Sequence, residues 1–131
     1  MKLNFAQISD SYMTIKELSE RKLPFRLSLL ISRNLAAIEK EYEFYMEQER
    51  KFALEYLVID YENNTLKEVK PGVFMIQEGK QEECMKARQE LDNFEAECDI
   101  RKIPLSMLED FEFTPAQLLA IEFMLEEEEE E

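Results

Sequence analysis

The side chains of this chain that could do chemistry are carboxylates, a few tyrosines and two thiols; histidine is absent. Without imidazole, the commonest general base and the Ser–His and Cys–His nucleophile pairs are missing, as are nitrogen ligands for a transition metal. Cys84 and Cys98 lack the C-x-x-C spacing of a structural zinc site. A carboxylate-bridged metal site in a helical bundle would want paired E-x-x-H motifs, which cannot be written without histidine. The two glycines, Gly72 and Gly79, cannot supply a G-x-G-x-x-G or G-x-x-x-x-G-K-[ST] phosphate loop. These absences predict a non-enzyme with no catalytic residues, no metal and no cofactor. The acidic tail could draw Ca²⁺ or Mg²⁺ loosely, but nothing has the spacing of a dedicated cation loop.

Two groups of residues remain as candidates for binding. Glu39, Glu41, Glu43, Glu47, Glu49 and Glu55 run along one segment, interleaved with Lys40, Arg50 and Lys51. Glu47 and Lys51 have i, i+4 spacing, and a solvated helix face accounts for the whole set. The second group is an aromatic stripe, Tyr42, Tyr45, Phe52 and Tyr56. It could be an interaction surface, because tyrosine joins a large contact area to a polar tip. The reading preferred for the stripe is that it lines a seam between helices as core. The methionines are scattered and read as core filler.

The elements that must carry these residues follow from apolar spacing. Ile31, Leu35, Ile38, Tyr42, Tyr45, Phe52 and Tyr56 recur at alternating four and three, broken only at Glu49. That spacing predicts a long amphipathic helix over about residues 24–57, near 50 Å in length, with a coiled-coil-like seam. A first helix is predicted over about 5–20, opened by an Asn4/Gln7 capping box and ended by Leu23–Pro24. Pro24 suits the first position of the long helix. Strand formers and turn residues between about 58 and 77 predict a small β-hairpin. A third helix is predicted over about 80–97, antiparallel to the far half of the long one. Cys84 and Cys98 would both lie on or beside it, about 20 Å apart, too far for a disulfide. Residues 99–103 alternate as a strand that could join the hairpin's sheet, and residues 105–109 suit one helical turn. Thr114–Pro115–Ala116–Gln117 caps a fourth helix over about 115–125, nearly all-round apolar and so expected to be buried. The predicted class is α+β, mainly α: a long central helix in a helical bundle, a small antiparallel sheet and a C-terminal helix.

Composition is consistent with this. Apolar residues at 45% and aromatics at 11% suffice for a core, and the scarcity of Gly and Pro favours long elements. One helical domain is expected over 1–125, followed by a disordered acidic tail at 126–131. The net charge is −14, six of it from Glu126 to Glu131. Such a chain repels phosphate backbones and anionic membranes, so direct nucleic-acid or membrane binding is not expected. No signal peptide or membrane span is read, and a cytoplasmic protein is expected.

The stretch from Ile8 to Tyr56 resembles the opening of a family of small phage and prophage proteins carrying a domain of unknown function. Its elements here are the K-L-P corner at Lys22–Leu23–Pro24 and the I-x-x-N-L-x-x-I-E-x-E pattern from Ile31 to Glu41. The later hairpin and the ELDNFEAECDIRKIPLSML segment are also similar. The resemblance implies a source in a bacterial host, with possible virion association, and no mechanism; it carries no catalytic residues onto this chain. The expected function is a non-enzymatic accessory role, through self-association as a homo-oligomer or through a protein partner. The alternative is an acidic nucleic-acid mimic that blocks a host DNA-binding or defence protein, with Glu47, Glu49 and Glu55 as its phosphate-like charges.

Overall fold

The computed structural model describes residues 1–127. In chain order the elements are β1 (Lys2–Asn4), α1 (Phe5–Ser19), α2 (Phe25–Tyr56), β2 (Ile59–Asp60), β3 (Thr65–Leu66), β4 (Glu68–Lys70) and β5 (Val73–Phe74). There follow α3 (Gln81–Asn93), β6 (Glu95–Glu97), β7 (Ile103–Pro104), a 3₁₀ turn at Leu105–Leu108, α4 (Pro115–Ile121), a second 3₁₀ turn at Glu122–Met124 and β8 (Leu125–Glu126). This is the α+β, mainly helical class, built on one long helix. None of the helices among the described residues is long and apolar enough to cross a membrane. The chain divides into two compact units, residues 1–42 with the segment from Glu95 onward, and residues 43–94. The earlier part of α2 belongs to the first unit and its later part to the second.

In the first unit, Asn4 and Gln7 form the expected capping box at α1. The α1 face Ile8, Ile15 and Leu18 is fully buried, together with Ile31 and Ile38 of α2 and Ile121 of α4. The Tyr12 and Tyr42 rings stack at 4.0 Å. Pro24 sits one position earlier than its sequence suggests: its carbonyl accepts from the Ser28 N–H at 2.9 Å, so it is the N-cap of α2. The buried stripe of α2 also differs from the apolar one. Leu27, Ile31, Asn34 and Ile38 are buried, while Leu35 is only half-buried. Asn34 fills a core position because its side chain clamps the backbone of Arg101. Its amide donates to the Arg101 carbonyl at 2.9 Å, and its oxygen accepts the Arg101 N–H at 2.7 Å.

Three expectations about the segments that enter or form this unit are corrected. The third helix stops at Asn93, and residues 95–97 form β6, antiparallel to β1 with Leu3 opposite Ala96. Cys98 therefore follows a strand and does not share a helix with Cys84; both cysteines are free and buried. The 99–103 strand does not join the hairpin: β7 pairs in parallel with β8, Ile103 opposite Leu125 and Pro104 opposite Glu126. Glu126 is thus part of a strand rather than a disordered tail; Glu128 to Glu131 lie outside the described residues. The third correction concerns α4, whose Thr114 capping box is as expected. It packs on α1, but Leu119 is 71% exposed, so burial is one-sided. A helix of seven residues covers only the neighbour on one side.

The second unit holds the hairpins. β2 pairs antiparallel with β3, and β4 with β5. Leu57 bridges Ile76, while Val58 exchanges backbone hydrogen bonds with Lys67 and Met75, tying the small strands together. The β4–β5 connection is Pro71–Gly72, with Gly72 at φ +79°, where an L side chain is strained. Ahead of β3, the Asp60 carboxylate accepts from the Glu62 and Asn63 N–H groups and from the Asn63 amide. These hydrogen bonds, the Asn63 amide first, hold its pKa below the ordinary aspartate value.

Candidate functional site

The later part of α2 and α3 run antiparallel. Tyr45 donates its hydroxyl to the Phe94 carbonyl at 2.8 Å, Glu49 pairs with Arg88, and the Lys80 ammonium donates to the Glu55 carbonyl at 3.0 Å. As the α2 number rises, its α3-side partner falls. Between these helices and the β4–β5 hairpin lies an open groove of about 790 Å³. It is lined by Met46 and Ala53 of α2 and Leu57 just past its end, by Cys84 and Met85 of α3, and by Val73 and Phe74 of the hairpin. Met85 is 62% exposed, and Met46, Val73 and Phe74 are also exposed. A contiguous apolar groove rich in methionine is a plastic contact surface, able to fit partner side chains of varied shape.

The charged groups of the groove are held by one another. Arg88 donates to both carboxylate oxygens of Glu49, one of them at 2.9 Å, and also to Asp92 at 2.8 Å. Its guanidinium lies 4.9 Å from the centre of the Phe52 ring. The Glu49 hydrogen bonds, followed by those to Asp92, hold the Arg88 pKa well above its ordinary value despite partial burial. Arg50 is engaged by Glu47 at 2.6 Å. A bidentate, ring-stacked arginine is a fixed strut and not a free anion receptor.

The four aromatic candidates separate. Tyr42 packs in the first unit against Tyr12. Tyr45 is completely buried and belongs to the core, so it presents no contact surface. Phe52 and Tyr56 are half-buried, with ring centres 5.2 Å apart, and line a smaller pocket of about 400 Å³ with Phe44 and Phe94. Burial raises the Tyr56 phenol pKa, with Glu55, Glu83, Cys84 and Glu90 adding to the shift. Phe52 alone of the four also borders the apolar groove.

The charge candidates change as well. Glu47 pairs with Arg50 at i+3 and not with Lys51, because the guanidinium reaches both carboxylate oxygens. Glu49 is committed to Arg88. Two of the three carboxylates suggested as phosphate mimics are therefore neutralised by arginines of their own chain. Among the described residues, no group of three or more Cys, Asp or Glu side chains is placed to hold a metal ion.

Met46, Met85, Val73 and Phe74 were not legible as a site. One signal was present: Met46, Ala53 and Leu57 recur at seven and four, a second apolar line along α2 and its immediate continuation, beside the aromatic seam. Comparison with protein-family models, curated proteins and solved structures finds no match. Two residues of the sequence motifs have structural duties. Pro24 starts α2, and Asn34 clamps Arg101.

Proposed function

We propose that this protein is a non-enzymatic phage or prophage accessory protein that works by binding another protein chain. The observation that carries this reading is the exposed, methionine-lined groove of residues 43–94. Its size suits side chains of a partner, and its charged groups are occupied by one another rather than aimed at a reacting atom. The family resemblance supplies the source. The expected setting is the cytoplasm of an infected or lysogenic cell, with the protein free or associated with the virion.

Affinity capture from nuclease-treated lysate of the phage-bearing host tests this. Wild-type bait is expected to retain a stoichiometric protein that Met85→Glu bait loses. Substrate turnover by the purified chain, or capture that disappears with nuclease, would overturn the reading.

A further inference from the structure

We infer that the occupant of the apolar groove is an amphipathic helix of about three turns, contributed by another protein and basic at both ends. The inference rests on the reading of this groove as a docking surface and adds the chemistry of what docks.

Length comes first. The wall formed by α2 and Leu57, whose N–H still bonds the Ala53 carbonyl, runs from Met46 to Leu57, which at ~1.5 Å per residue spans about 16 Å, the reach of apolar anchors at i, i+4, i+7 and i+11 of one helix. An added β-strand is a poor alternative, because the sheet segment at the groove, Val73–Phe74, is two residues long and cannot template one.

Charge sets the ends. The two arginines that line the groove, Arg50 and Arg88, are already paired with Glu47, Glu49 and Asp92. Nothing cationic is left inside to receive an acidic partner. Over Glu43–Tyr56 and Gln81–Asn93 the helical walls carry eight carboxylates against four cations. Two of those acids lie outside the lining but one helical turn before a residue of it: Glu43 before Met46, and Glu82 before Met85. Both are exposed, and neither makes an ion pair among the described residues. Because the helices are antiparallel, Glu43 and Glu82 fall at opposite ends of the groove. A helix with Lys or Arg at each end meets a carboxylate at each end. A second copy of this chain does not fit, since it would bring another net charge of −14 to an acidic rim.

Selection from a library of short helical peptides, charge-balanced and randomised at every position, tests this on the full chain. Binders are sorted by whether Met85→Glu abolishes them, with circular dichroism confirming that the variant is folded. Met85-dependent binders are expected to carry Lys or Arg at both ends. Their affinity should fall about tenfold at low salt in the Glu43→Lys/Glu82→Lys variant and less at high salt. These two positions are exposed, so that variant keeps the test open if Met85→Glu misfolds. Met85-dependent binders with neutral or acidic ends would overturn this inference while leaving the docking reading standing. No Met85-dependent binder at all would overturn both. A wild-type dimer that Met85→Glu dissociates in sedimentation would overturn the inference in favour of a second copy.

Discussion

At the scale of single residues, the polar groups that matter most are those which solve a burial problem. Asn34 is the clearest. It is completely buried in a line of leucine and isoleucine, and both ends of its amide hydrogen-bond the backbone of Arg101, the amide nitrogen to its carbonyl and the oxygen to its N–H. Asn34→Ala would leave that N–H and carbonyl without partners, so we expect a loss of about 2–3 kcal/mol in urea unfolding. A loss below about 0.5 kcal/mol would contradict the clamp. Asp60 makes the opposite kind of contribution, at the surface. Its pKa is lower in the folded chain than in the unfolded one, so its stabilising effect is present above the unfolded value. The effect disappears as pH falls through the folded value. Carboxyl-detected NMR should find Asp60 titrating below the usual aspartate range, with the Glu62 and Asn63 amides moving in step. Titration at or above the ordinary value would show that the turn does not hold in solution. The sequence announced Asn34 only as a letter in a motif. A polar residue at helical core spacing carries no sign of its partner when that partner is the backbone of a loop 67 residues away.

At the scale of elements, what was legible is what is local. The Asn4 and Thr114 capping boxes, the end of α1 before Pro24 and the run of α2 all follow from residues within a few positions of one another. The end of α3 was not legible. Glu95–Ala96–Glu97 lies in a stretch whose apolar spacing still suits a helix, and it becomes a strand because Lys2–Asn4 pairs with it. The β7–β8 pair, which draws in Glu126, is likewise set by packing between separated segments. Tertiary pairing overrides local preference at such places. The groove's hairpin wall depends instead on one local feature, the positive φ at Gly72. Open space surrounds that Cα, so Gly72→Ala meets no clash and acts through backbone strain alone. We expect a cost of about 1 kcal/mol, read as faster amide exchange at Val73 and Met75 with α1 unaffected. Unchanged exchange at both amides would mean that the turn does not use this conformation.

At the scale of the whole molecule, the core is shared unevenly. In residues 43–94 the buried apolar side chains are Tyr45, Leu57 and Cys84; the remainder of the buried core lies in the other unit. A thinly packed unit opens at lower free energy than a dense one. Each unit holds one buried thiol, and burial, with Glu41 and Glu97 adding to it, raises the Cys98 pKa above the ordinary thiol value. With single-cysteine variants, labelling of Cys84 by a thiol reagent in native buffer should outpace that of Cys98 by at least about tenfold, a gap of roughly 1.4 kcal/mol in opening. Equal rates would mean that the chain opens as one body. A lightly packed unit with an exposed apolar groove is also what a protein that fits itself to a partner requires, since its side chains can re-pack on binding.

The central claim is that this groove is where the protein meets another chain. The most direct measurement places a photo-crosslinking amino acid at Met85, and separately at the exposed Leu119 of α4, in cells that produce the protein. We predict one discrete protein adduct from position 85 and none from position 119. An adduct from position 119 but not from 85, or no adduct from either, would contradict the account.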